Sequence, residues 1–169
     1  MPNYQQITEI LKAGGVILYP TDTVWGIGCD ATNASAVARI FTIKQRSESK
    51  SLIILVSSIA MLREYIADLP QNIFNYLQKV TEPTTIIYEN PQLLATNVIA
   101  ADNTVAIRLV QDPFCQQMIA YFGKPIVSTS ANISGQPTPL FFADIPASLI
   151  EHCDYVVPYR QDDTAPKKP

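Results

Sequence analysis

The sequence has little of what several large classes of protein chemistry depend on. Its 169 residues include one histidine, His152, and three cysteines, Cys29, Cys115 and Cys153. The cysteines are odd in number and form no C-x-x-C pair, so neither a disulfide scaffold nor a conventional His/Cys zinc site is supported. Each cysteine reads as a small packing residue. Any Ser-His or Cys-His nucleophilic mechanism would have to run through His152, between Glu151 and Cys153 near the end of the chain, which disfavours a hydrolytic triad. Long hydrophobic runs are missing as well. Stretches such as Leu52–Val56 and Val105–Ile107 fall far short of the roughly 20 residues that span a bilayer, and no signal-peptide pattern opens the chain, so a cytoplasmic, membrane-free protein is the default expectation. Twelve Lys and Arg against 15 Asp and Glu give a net charge of −3. That balance argues against a surface built wholly to attract polyanions and leaves room for a local basic pocket.

What is present fits one soluble domain. Hydrophobic residues make up 47% of the chain and charged residues 16%, enough to bury a substantial core. Tyr4, Ile7, Ile10 and Leu11 share a helical stripe that stops at Gly14-Gly15, and Val16–Tyr19 reads as a buried strand closed by Pro20. Val24–Cys29 reads as a second strand, in which Gly26 and Gly28 permit another backbone or a ligand to come close. From Asn33 the pattern is helical, with Val37, Ile40, Phe41 and Lys44 on adjacent turns, until the polar stretch Arg46–Ser51. A strand over Leu52–Val56, helices near Ile59–Ile66 and Gln71–Val80, and a threonine-rich strand over Thr84–Tyr88 follow, with Pro70 suited to the first turn of the second helix. Val105–Val110 reads as a strand. Asp112-Pro113 supplies a cap and first-turn proline for a helix through Phe122, Gly123 ends it, and Pro125–Val127 forms a further strand. After a loop over Ser128–Leu140, a helix near Ala143–Cys153 and a strand over Tyr155–Val157 lead into a polar tail. The alternation favours an α/β sheet with helical layers, whose strand order the pattern does not reveal. Gly26-Ile27-Gly28 lacks the third glycine of a dinucleotide fingerprint, since Ala31 stands there.

Four clusters carry candidate chemistry. In Tyr19-Pro20-Thr21-Asp22-Thr23-Val24-Trp25-Gly26, hydroxyls and a carboxylate sit beside an aromatic ring between two strands, which suits either a small-ligand pocket or a Pro-Thr-Asp turn with Trp25 in the core. Lys44, Arg46 and Lys50 suit a triphosphate or leaving pyrophosphate, although the cluster taken alone reads first as a helix C-terminus that complements its macrodipole. The loop from Ser128 through Ser130, Asn132 and Thr138 is dense in donors and acceptors for phosphate, ribose or carboxylate, although an ordinary Ser/Asn/Gly turn has the same composition. Alternation along the strand puts Thr104, Ala106 and Arg108 on one face, where Arg108 meets an anion or serves as a surface ion-pair partner.

Taken in order, Tyr19-Pro-Thr-Asp-Thr-Val-Trp-Gly, Lys44-Gln-Arg46, Thr104-Val-Ala-Ile-Arg108 and Ser128-Thr-Ser-Ala-Asn132-Ile-Ser-Gly135 closely resemble the YrdC family of threonylcarbamoyl-AMP synthases. The resemblance extends from the first helix to about Tyr159. It implies a YrdC-like domain over residues 1–160, with a strongly twisted mixed β-sheet flanked by helices around a basic concave pocket. A polar tail over 161–169 would be shorter than the family's usual C-terminal strand and arginine-bearing segment. The implied enzyme is a nucleotidyltransferase that makes L-threonylcarbamoyl-AMP and pyrophosphate from L-threonine, bicarbonate or CO2, and ATP with its Mg2+. A downstream tRNA threonylcarbamoyl transferase would use the product for threonylcarbamoyladenosine, and weak binding of tRNA or double-stranded RNA is a further implied property.

By position, the resemblance assigns Thr23, Arg108 and Ser128 to threonine. It assigns Arg46, Lys50, Thr104, Ser130, Asn132 and Thr138 to ATP. Lys44 joins Arg46 in the catalytic phosphate field, and no direct metal ligand is implied. Leu55 stands where some members carry a histidine, so no histidine contact to threonine carries over. The alternatives are a non-catalytic nucleotide- or RNA-binding module and the carbamoyl-transferring use of this domain in hydrogenase maturation.

Overall fold

The computed structural model of the chain describes residues 2–45 and 52–162. Among the described residues, seven strands form one mixed sheet in the order β4-β5-β3-β6-β2-β1-β7. The first half of the chain supplies α1 (Tyr4–Lys12), β1 (Ile17–Tyr19), β2 (Gly26–Gly28), α2 (Ala34–Lys44) and β3 (Ile53–Val56). The second half adds α3 (Ile59–Tyr65), α4 (Gln71–Leu77), β4 (Thr84–Glu89), β5 (Thr104–Leu109), α5 (Pro113–Phe122), β6 (Ile126–Ser130), α6 (Ala147–His152) and β7 (Tyr155–Val156). β3 runs parallel to β5 and β1 parallel to β7, while the other neighbours are antiparallel. No helix among the described residues is long and apolar enough to cross a membrane.

Local chemistry sets most element ends. Asn3, Asn33, Ser58 and Asp112 each accept a hydrogen bond from a first-turn backbone N–H, as N-caps do. Gly123 ends α5 in the left-handed conformation, with φ of 85°. Pro70 precedes α4 as its N-cap instead of entering its first turn, and Pro146 does the same for α6, delaying that helix from the expected Ala143 to Ala147. A short 3-10 turn, Phe142–Asp144, occupies the intervening chain.

The main departure from the expected elements is β6. The apolar pattern predicts an end at Val127, yet extended pairing continues through Ser130. Ile126–Ser128 pair with β3, and Thr129 and Ser130 pair with Ile27 and Gly26 of β2. Neighbours on both sides satisfy the backbone of this polar segment, so it needs no apolar side chains to stay extended. Gly28 permits the crowding at the centre: a Cβ there would lie 2.5 Å from the Val127 carbonyl oxygen and 2.7 Å from the Tyr19 ring.

Asp154 fastens the last strand. Its carboxylate accepts from the Val16 N–H at 2.7 Å and pairs with Arg39. Burial alone pulls this carboxyl upward, but Arg39 and the Val16 N–H outweigh it and hold it below the usual carboxylate range. A lowered folded-state pKa gives stability that is present above the unfolded value near 3.9 and is lost as pH falls through the folded value. Both side chains are partly exposed, so solvent screening keeps the effect small. Asp154→Asn is therefore expected to lower stability at pH 7 by about 1 kcal/mol or less. In urea unfolding followed across pH, the difference from wild type should be full above the unfolded value near 3.9 and shrink as pH falls below it.

Candidate active site

Because β6 lies at the middle of the sheet, its polar C-terminal half brings three distant segments together. The turn between β1 and β2, the start of β3 and the cavity face of β5 surround a space of about 480 Å3. Thr21, Thr23, Val24, Trp25 and Gly26 line one side. Leu52, Ile53 and Arg108 line another, and Ser128, Thr129, Ser130 and Thr138 complete the wall. Arg108 is the one charged side chain among the described lining residues. Trp25 is buried and packs against Phe142 with ring centroids 4.9 Å apart, so it is both core and wall. No periodicity in the sequence marks Phe142, which precedes the helix expected from Ala143 and is delivered by a 3-10 turn.

Hydroxyl directions in the β1–β2 turn follow from what each atom can donate. Thr21 Oγ1 lies 2.6 Å from the Val24 carbonyl oxygen, so its proton goes there. The same oxygen accepts from Thr23 N at 3.0 Å, and in its 3.1 Å contact with Thr23 Oγ1 the donor must then be Thr23. Thr23 consequently offers lone pairs to the cavity, which suits an amine. Arg108 offers donors, which suits a carboxylate. Its Nε donates to Thr85 Oγ1 at 3.0 Å, and its Nη groups have no hydrogen-bond or acidic partner among the described residues.

The serine loop is organised from below. Lys44, at the last turn of α2, is only 2% exposed. Its Nζ donates to the carbonyl oxygens of Ser130 at 2.7 Å and Asn132 at 3.1 Å, and to Asn132 Oδ1 at 2.8 Å. Ser130 Oγ donates to the same Oδ1 at 2.6 Å, Asn132 Nδ2 donates to the Gln136 carbonyl at 2.6 Å, and Ser134 N donates to the Lys44 carbonyl at 2.8 Å. Ser130 thus meets the cavity as an acceptor. Lys44, expected among cavity-facing phosphate contacts, instead sits under the loop, because its place on the Val37-Ile40-Phe41 stripe turns it inward.

The other expected site residues divide as follows. Thr23, Arg108, Ser128, Ser130 and Thr138 converge on the cavity, whereas buried Asn132 lies behind it. Thr104 shares the face of Arg108 about 13 Å along β5 and donates to Asp102 at 2.6 Å. Arg46 and Lys50 lie outside the described residues. Arg160, the last arginine, pairs with Asp112 at 2.7 Å, away from the cavity lining. Among the described residues no group of three or more His, Cys, Asp or Glu is placed to hold a metal ion. His152 Nδ1 lies 2.6 Å from the Ser148 carbonyl oxygen and therefore carries a proton; it is not part of the cavity wall. Burial pushes the Cys29 and Cys115 thiols well up and that of Cys153 up to about 11, as expected for packing residues.

A family model described as telomere recombination, for Sua5, YciO and YrdC, matches residues 9–168. The chain belongs to this family. A threonylcarbamoyl-AMP synthase of Vibrio vulnificus is 38% identical over 138 residues, covering 79% of this chain and 74% of the relative. The synthase of Photobacterium profundum is 32% identical over 163 residues, covering 93% and 86%. Among solved structures, P. abyssi Sua5 complexed with L-threonine superposes with a TM-score of 0.84 at 25% identity. That match covers 91% of this chain and 46% of the Sua5 chain, so this domain spans about half of that protein.

Thr21 is the hub of the hydrogen bonds in the β1–β2 turn. Thr21→Val strands the Val24 carbonyl and the Thr23 N–H, and is expected to cost about 1–3 kcal/mol in urea unfolding. Thr21→Ser keeps both bonds and should recover most of that loss.

Proposed function

We propose that this protein condenses L-threonine, bicarbonate or CO2, and ATP into L-threonylcarbamoyl-AMP and pyrophosphate. The observation that carries the reading is one cavity with acceptors at Thr23, donors at Arg108 and a polar loop between them, in a chain that shares 38% identity with a synthase of that name. Thr23 takes the amino group of threonine, Arg108 its carboxylate, and Ser128 completes the amino-acid site. Ser130 and Thr138 meet the nucleotide from the loop, Asn132 shapes that loop, and Thr104, Arg46 and Lys50 complete the ATP end.

The chemistry needs no covalent enzyme intermediate. The threonine amine adds to CO2 and loses a proton to form a carbamate. A carbamate oxygen then attacks the α-phosphorus of ATP, the bond from that phosphorus to the bridging oxygen breaks, and pyrophosphate leaves. The protein lowers the barrier by holding two mutually repelling anions in line and by compensating their charge. Mg2+ accompanying ATP would neutralise part of the triphosphate charge. This makes the enzyme a nucleotidyltransferase. Its mixed-anhydride product is an activated donor for a tRNA threonylcarbamoyl transferase, and weak contact with tRNA or double-stranded RNA belongs to the same reading.

Purified protein with ATP, Mg2+ and bicarbonate is expected to release pyrophosphate only when L-threonine is added, with threonylcarbamoyl-AMP detected by mass. ATP binding without threonine-dependent release would favour a non-catalytic module instead. Arg108→Gln should raise KM for L-threonine by about 10- to 100-fold, the loss of a charge-assisted pair.

A further inference from the structure

We infer that Thr85, on edge strand β4, is a positioning residue that presents the Arg108 guanidinium end-on to the substrate carboxylate. The inference rests on the reading of Arg108 as the carboxylate site. β5 lies between β4 and β3, and Arg108 is in register with Thr85 on one side and Leu55 on the other. Leu55 is buried and has no side-chain acceptor. Thr85 has one, and Arg108 Nε donates to it at 3.0 Å.

A guanidinium is a rigid planar fork, so fixing one N–H fixes the direction of the others. β3, β6 and β2 supply the cavity wall on one side of β5, and Thr85 holds Nε from the opposite side. The Nη edge is then left for a ligand, and two parallel N–H groups on that edge match the two oxygens of a carboxylate. Without the tether, a half-buried arginine on a strand would sample several rotamers and lose entropy on each binding event. Thr85 is exposed and its hydroxyl makes no other side-chain bond among the described residues, so its effect on stability is slight and its effect on orientation is separable.

The test uses calorimetric titration of the whole chain with L-threonine and with L-threoninamide, which lacks the carboxylate. Thr85→Val should bind L-threonine about 3- to 10-fold more weakly, one neutral-acceptor hydrogen bond to a charged group lost. Thr85→Ser should stay within about twofold of wild type, because the acceptor is kept. Melting temperatures should agree, since valine suits an exposed strand position. L-Threoninamide should bind more weakly than L-threonine and show no difference between wild type and Thr85→Val. Equal L-threonine affinity in wild type and Thr85→Val, or the same loss for both ligands, overturns the role of Thr85 while leaving the synthase reading intact. Absence of L-threonine binding by the wild-type protein overturns that reading and this inference with it.

Discussion

A lysine ammonium withdrawn from water and ringed by loop oxygens is the constraint on which the site depends. Taking Lys44 out of solvent costs several kcal/mol, and the turned-in carbonyls of Ser130 and Asn132 with the Asn132 amide oxygen offset that cost. The loop after β6 is therefore held in one shape: oxygens of Ser130 and Asn132 are directed at Lys44, and the Ser130 hydroxyl proton is directed at Asn132. Ser130 reaches the cavity as an acceptor because Asn132 already holds its proton. The chemistry available at the cavity is set one layer beneath it.

The sheet order makes that layer possible. β6 sits between β3 and β2, so the loop that leaves it faces the β1–β2 turn and the start of β3 together. Donors lie at Arg108 and acceptors at Thr23, on opposite walls of the cavity, the polarity that a carboxylate and an amine of one small molecule would match. Among the described lining residues, one cation and several neutral dipoles create this polarity in a chain of net charge −3.

Residues whose role follows from local chemistry were legible in the sequence. Asp112 and Gly123 announced the ends of α5, and the glycines of β2 announced a close approach that the structure resolves as Tyr19 and Val127 against Gly28. Thr23, Arg108 and Ser128 were picked out by their motifs and do meet at one cavity. Strand order was not legible, because pairing between β3 and β5 or β1 and β7 joins segments distant in the chain and leaves no local mark. The strand character of Ser128–Ser130 was hidden by polar composition, which central pairing overrides. The inward turn of Lys44 did have a signal. It stands on the same helical stripe as Val37, Ile40 and Phe41, and that periodicity outweighs the usual surface role of a lysine near a helix end.

Backbone hydrogen exchange in Lys44→Met reads how far the buried ammonium holds the serine loop. Methionine keeps the apolar stem and removes the ammonium, so residues 130–136 should exchange at least about tenfold faster, the loss of more than one buried hydrogen bond. Amides of β1 and β5, which owe nothing to Lys44, should keep their protection. Unchanged exchange in the loop would contradict the account, because the serine loop would then hold its shape without the buried charge.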